Sequence, residues 1–165
     1  MRVSLIVVIM VVVGGLFFNA MPSKKNQRPA IAPVTNEYPS MNLIFPDGSL
    51  RSSRDLPAKS ILVIYFPDCD HCQREATEIS KHLKAFKSYH VWFISVVPFE
   101  EIKSFAIQYK LVGYDYVHFV RTEPKDITSN YGGIPTPSVY IYSQEKRLVK
   151  AFNVETKIEE IIKHL

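Results

Sequence analysis

Residues 61–79 read ILVIYFPDCDHCQREATEI, and two hydrophobic periods meet inside them. Residues 61–66 form a continuous apolar run of β-branched and aromatic side chains, without the alternation of a strand that has one wet face. Such a run suits a strand buried on both faces, as in an α/β sheet. Pro67 ends it. From Cys72 the chain steps to Ala76, Ile79, Leu83 and Phe86 at intervals of four, three, four and three, the spacing of an amphipathic helix. A buried strand therefore delivers Cys69 and Cys72 onto the first turn of a helix.

That layout suits thiol chemistry. Unpaired N–H groups and the macrodipole at a helix N-terminus stabilise an anion, so Cys69 is favoured there as the thiolate, the form that attacks disulfides. Cys72 lies about one turn further on the same face and can close an intramolecular disulfide. His71 adds a group that can be cationic beside Cys69. Asp68 and Asp70 oppose it, and solvated carboxylates are screened more than the helix end. The bland uses of a C-x-x-C pair fit less well. Zinc needs four ligands, but Cys69 and Cys72 are the only cysteines, and His82 and His90 lie too far along for finger spacing. Haem attachment needs a histidine where the chain has Gln73. A passive disulfide closing so little chain would stabilise poorly. A rival of another class is a copper or other soft-metal carrier using Cys69, Cys72 and His71. A third is a binding module that keeps a fold without its chemistry, against which the presence of both cysteines argues.

Cys69-Asp70-His71-Cys72 after a buried strand, with Glu75 three residues beyond, resembles the thioredoxin-like superfamily. The likeness is to the cell-envelope thiol–disulfide oxidoreductases of the TlpA/ResA type, an AhpC/TSA-related branch, and it spans residues 41–165. It implies an α/β thioredoxin fold, a central mixed β-sheet flanked by helices with an N-terminal β-hairpin extension. It also implies catalytic roles for Cys69, Cys72 and Glu75, with His71 and Asp70 as tuning residues. Glu75 has a bland alternative too, an interaction with the helix dipole or Arg74. The family carries a cis-proline before a late strand, whose backbone presents an edge to substrate. In Gly133-Ile134-Pro135-Thr136-Pro137-Ser138, Thr136-Pro137 takes that role, with Ile134-Pro135 second. Were Pro135 the one, Pro137 would fall inside the strand and remove a ladder donor. The chain departs from the family pattern at Asp68 (usually Trp), Thr77 (usually Pro) and Val63 (a buried Asp in classical thioredoxins).

The resemblance implies no bound cofactor and no metal, only a redox-active disulfide. Its substrates would be disulfide-containing envelope proteins, reduced with electrons from a membrane dithiol protein. Glu75 favours that reducing direction. The histidine before Cys72 resembles the oxidising, DsbA-like members, which run the same exchange in reverse.

The rest of the chain divides by composition. Residues 3–18 are apolar apart from Ser4 and follow Arg2, so residues 1–20 read as a signal-anchor or signal peptide. Cleavage after Ala20 would place bulky Phe18 where a small residue is preferred, which favours an anchor holding the protein on the periplasmic or other extracytoplasmic side. Lys24, Lys25 and Arg28 beyond the run oppose either reading. The bland alternative is a buried helix of the domain. Residues 21–40, with Pro22, Pro29, Pro33 and Pro39, read as a Pro-rich tether, and residues 41–165 as the domain. The net charge of +4 sits wholly before residue 37, leaving sixteen basic and sixteen acidic residues from Glu37 onward. A neutral domain has no electrostatic footprint for nucleic acid.

Within the domain, residues 41–50 predict a hairpin turning at Pro46-Asp47-Gly48-Ser49, and residues 91–97 a second buried strand. Ile102, Phe105, Ala106 and Tyr109 predict an amphipathic helix after Pro98. Residues 116–120 predict a short strand, and residues 124–131 a helix with proline in its first turn. Residues 147–152 pair back on residues 139–142, and a last helix buries Ile158, Ile161, Ile162 and Leu165. Trp92 and the aromatic stretch 109–119 read as core, and His82, His90, His118 and His164 as surface or core residues without a chemical role.

Overall fold

The computed structural model describes residues 36–165. The expected membrane segment, and the tether up to residue 35, lie outside the described residues. From there the elements are β1 (Asn42–Ile44), β2 (Leu50–Ser52), β3 (Ser60–Ile64), α1 (Asp70–Lys81), β4 (His90–Ser95), α2 (Phe99–Gln108) and β5 (Val117–Thr122). They continue with α3 (Pro124–Tyr131), β6 (Ser138–Tyr142), β7 (Leu148–Phe152) and α4 (Ile158–Ile162). The described strands form one mixed sheet in the order β2-β1-β5-β4-β3-β6-β7.

β3 lies next to the middle of that order and is buried at all five positions, as its unbroken apolar run requires. Its side chains alternate between two cores. Ile61 and Val63 join Ile79, Phe86, Phe93, Phe105 and Ile161 on one face, while Leu62 and Ile64 join Leu43, Trp92, Ile127, Tyr131 and Tyr142 on the other. β3, β4 and β5 run parallel. α1 and α2, which link them, both bury apolar side chains in the first core and so cover the same face. The return from β5 to β6 steps the other way and places α3 on the opposite face, leaving helices on both sides as expected. α4 packs back on the α1 face through Ile158 and Ile161.

The predicted helical face of α1 is buried from Cys72 through Ile79. The α-helix ends at Lys81, and a 3₁₀ turn, Leu83–Phe86, carries the last two apolar residues into the same core. The hairpin forms at its predicted turn, with Gly48 at φ 80, where the left-handed region favours glycine. β4 starts one residue earlier and ends two earlier than the sequence suggests, and β5 extends to Thr122, where it pairs with β1. Packing also begins before residue 41. Glu37 bridges to Arg147, and Tyr38 is buried against Tyr142 at a ring separation of 4.6 Å.

Because Leu43 is fully buried in the second core, the hairpin is integral to the domain rather than an appendage. Leu43→Ala is expected to destabilise the protein by about 2–5 kcal/mol. Urea denaturation checks this, and a loss under half a kcal/mol would show that the hairpin folds as a separate flap.

Candidate active site

The turn from β3 into α1 is fixed on each side before any cysteine is reached. Tyr65 donates its N–H to the Ile94 carbonyl at 3.2 Å, and Ser95 Oγ donates to the Tyr65 carbonyl at 2.8 Å. Cys69 N–H then closes back on the Phe66 carbonyl at 3.2 Å, and Gln73 Nε2 donates to the Pro67 carbonyl at 2.8 Å. Cys69 thereby becomes the N-cap of α1, in extended backbone conformation, and its Sγ accepts the Cys72 N–H at 3.3 Å. A position usually filled by a Ser, Thr or Asp oxygen is filled by sulfur. Cys69 is half-buried, Cys72 is 2 % exposed, and both are free thiols.

Asp70, the first helical residue, is exposed. Glu75, one turn after Cys72, points into the core and is 3 % exposed. Its Oε1 accepts the Thr156 N–H at 3.3 Å, and its Oε2 is buried without a partner among the described residues. Burial lifts Glu75 to about 7, the Thr156 N–H opposing the rise and the Glu155 charge adding to it. Burial likewise pushes the Cys72 thiol far up, with the hydrogen bond and charge of Cys69, and then Glu75, contributing. The site thus holds one accessible sulfur under an N–H donor, and behind it a thiol and a carboxyl that both favour their protonated forms.

His71 faces away from this buried pair. Its Nδ1 lies 2.6 Å from Glu155 Oε2 and 2.8 Å from Arg74 Nη2. Arg74 grips Glu155 with both arms, Nε to Oε1 and Nη2 to Oε2, each at 2.8 Å. The Arg74 hydrogen bond, then that of His71, hold Glu155 down at about 2. Sequence reasoning missed Glu155 and Thr156 altogether. They lie 81 residues or more from the α1 groups they meet, and no local pattern marks them.

The Thr136–Pro137 peptide is cis, at the proline that strand geometry singles out. Ser138 pairs with Ile64, the last residue of β3. The cis-proline and the cysteines therefore leave the same end of neighbouring strands. Thr77 donates its Oγ1 to the Gln73 carbonyl at 2.8 Å within a regular α1. For a metal, Cys69 and Cys72 offer two sulfurs, and His71, its Nδ1 bonded to Glu155 and Arg74, offers Nε2. No group of three or more His, Cys, Asp or Glu suited to a metal ion occurs among the described residues. Nor is any helix among them long and apolar enough to cross a membrane.

No protein-family model matches the chain, and no curated protein matches it. Solved structures do. A candidate protein disulfide isomerase of Bacteroides thetaiotaomicron superposes with a TM-score of 0.65 at 16 % identity, covering 81 % of this chain and 88 % of that one. A secreted Mycobacterium tuberculosis disulfide oxidoreductase homologous to E. coli DsbE gives 0.60 at 17 %, covering 76 % and 92 %. Arabidopsis thaliana ScoI with copper bound gives 0.59 at 18 %, covering 76 % and 93 %. The chain has the thioredoxin fold. The thioredoxin-like resemblance read from residues 41–165 holds at the level of architecture, including the hairpin that precedes the core strand.

Glu75 sets a pH dependence of known sign. Its carboxyl titrates at about 7 when folded and at 4.5 when unfolded, so between those values the native protein binds more protons. Stability therefore falls as pH rises through that window, by about 3 kcal/mol in total. Glu75→Gln removes this contribution. Denaturation at intervals from pH 4.5 to 8 should give the variant a stability advantage that grows with pH; parallel curves would assign the slope to other groups.

Proposed function

We propose that the protein is a thiol–disulfide oxidoreductase acting on disulfide-containing proteins of the cell envelope, with reduction as its working direction. The observation that carries this reading is Cys69 as N-cap, its sulfur half-exposed and accepting the Cys72 N–H. The same donor stabilises a thiolate on attack and on release. Cys69 thiolate attacks a substrate disulfide, forming a mixed disulfide and releasing one substrate thiolate. Cys72 gives its proton to the Glu75 carboxylate and attacks Cys69 Sγ. The second substrate thiolate leaves, and Cys69–Cys72 remains oxidised. Two electrons pass to the substrate, and a partner dithiol in the membrane restores them. Thr136 and Pro137 present backbone to the substrate chain, while His71 and Asp70 tune the charge at the helix end.

The envelope location rests on the apolar run of residues 3–18 as an anchor, and is supported by the secreted Mycobacterium neighbour. The oxidising, DsbA-like direction uses the same atoms in reverse. The copper-carrier reading draws on the copper-bound ScoI neighbour, and would use the two sulfurs with His71 Nε2, its Nδ1 being held by Glu155 and Arg74.

Two measurements test the proposal. The reduction potential of the Cys69–Cys72 pair, titrated against glutathione and dithiothreitol with metals chelated, should fall near the thioredoxin value of about −270 mV. A value near −120 mV would make the protein an oxidant, and failure to form the disulfide at any poise would end the enzyme reading in favour of a copper titration. In a disulfide-reduction assay Cys69→Ser should abolish turnover. Cys72→Ser should instead accumulate a mixed disulfide visible on a non-reducing gel.

A further inference from the structure

The loop of residues 153–157, between β7 and α4, touches the site through adjacent residues meeting adjacent residues. Glu155 grips Arg74, and the next residue, Thr156, donates its N–H to Glu75, the residue after Arg74. At the loop's start Asn153 Oδ1 accepts from Tyr140 Oη at 2.9 Å, and at its end Ile158 is buried. Between those anchors Val154 is 69 % exposed and holds nothing, and Thr156 Oγ1 bonds only within the loop, to the Val154 carbonyl. Glu155 is thus the side chain that ties the middle of the loop to α1. A two-armed arginine–carboxylate pair fixes orientation as well as distance.

Resting on the reading of Glu75 as proton acceptor for Cys72, we propose that Glu155 is a positioning residue. Its hold on Arg74 keeps the 153–157 loop against α1, so that the Thr156 N–H meets the Glu75 carboxyl. That N–H is the one hydrogen bond Glu75 receives among the described residues, since its other oxygen has none. The charged and titratable groups around Glu75 are Cys72, Arg74 and Glu78 from α1, with Glu155, Lys157 and Glu159 from the loop and α4. A cavity of about 300 Å³ lined by most of them gives the carboxyl's surroundings access to solvent. A proton taken from Cys72 can leave by that side without crossing the core.

One amide separates positioning from simple charge. If Glu155 acts only through its negative charge, Glu155→Ala leaves the loop seated and the Thr156 amide as protected as before. If Glu155 holds the loop, the variant frees the Thr156 N–H from Glu75, and its exchange quickens at least about tenfold while that of Val63 in β3 does not. The experiment is amide hydrogen exchange of the reduced full chain followed by NMR. Glu155→Ala and Arg74→Ala are both expected to quicken Thr156 in this way, since each removes one partner of the same pair. Unchanged Thr156 exchange in Glu155→Ala overturns the proposal. The readout needs no disulfide turnover. Faster Thr156 exchange with an unchanged pH profile for resolving the Cys69 mixed disulfide would therefore support the positioning role and sink instead the assignment of Glu75 as proton acceptor.

Discussion

A helix begins with backbone N–H groups that have no partner within the helix, and something must accept from them. In α1 the Cys69 sulfur accepts one, the N–H of Cys72. The atom that completes the helix is therefore also the half-exposed sulfur of the site. Its place is set by the strand before it. β3 is buried on both faces and cannot slide without exposing one core. The turn after it is closed by the Cys69 N–H and the Gln73 side chain. A sulfur on a free loop would sample many orientations. This one is held in the direction of the α1 dipole.

Behind that sulfur, burial does two things at once. It makes a Cys72 thiolate and a Glu75 carboxylate each unfavourable, and it puts them one turn apart on the same face. Charging both would place two like charges on side chains that are each almost fully buried. In the proposed exchange, moving the Cys72 proton to Glu75 keeps the pair at a single negative charge throughout. The Thr156 N–H lessens the cost of a carboxylate at Glu75. Val63, on β3, is packed in the α1-side core. The buried carboxyl of this chain comes from the helix rather than the strand.

Much of this was legible because the constraints that matter write themselves locally. Two-sided burial produces an apolar run at residues 61–66, and amphipathic packing produces the spacing from Cys72 to Phe86. A strand interior excludes proline, which selects Pro137 over Pro135. Features without a local signature arise from non-local contacts. The break between α1 and the 3₁₀ turn at Leu83–Phe86 leaves the apolar spacing intact, so periodicity does not reveal it. The extension of β5 to Thr122 depends on β1, almost 80 residues earlier, and the stacking of His118 on Trp92 at 4.0 Å depends on the register of β4 against β5. His71 can be cationic beside Cys69 by sequence alone; its hydrogen bonds to Arg74 and to Glu155, 84 residues further on, carry no local signal.

That network follows from topology rather than from any motif. β7 lies at one edge of the sheet and the chain must return from it to cover the remaining apolar surface of the α1 face. The connection from β7 into α4 has only the five residues 153–157 to do so, and Ile158 and Ile161 anchor its far end beside α1. A short loop seated there necessarily lies along the exposed side of the helix that carries both cysteines. Once it does, a carboxylate opposite Arg74 and a free N–H opposite Glu75 are enough to join the last element of the fold to the chemistry of the first helix. The C-terminal helix thus belongs to the site as well as to the core, because the anchors that bury it also hold the loop from which Glu75 draws its hydrogen bond.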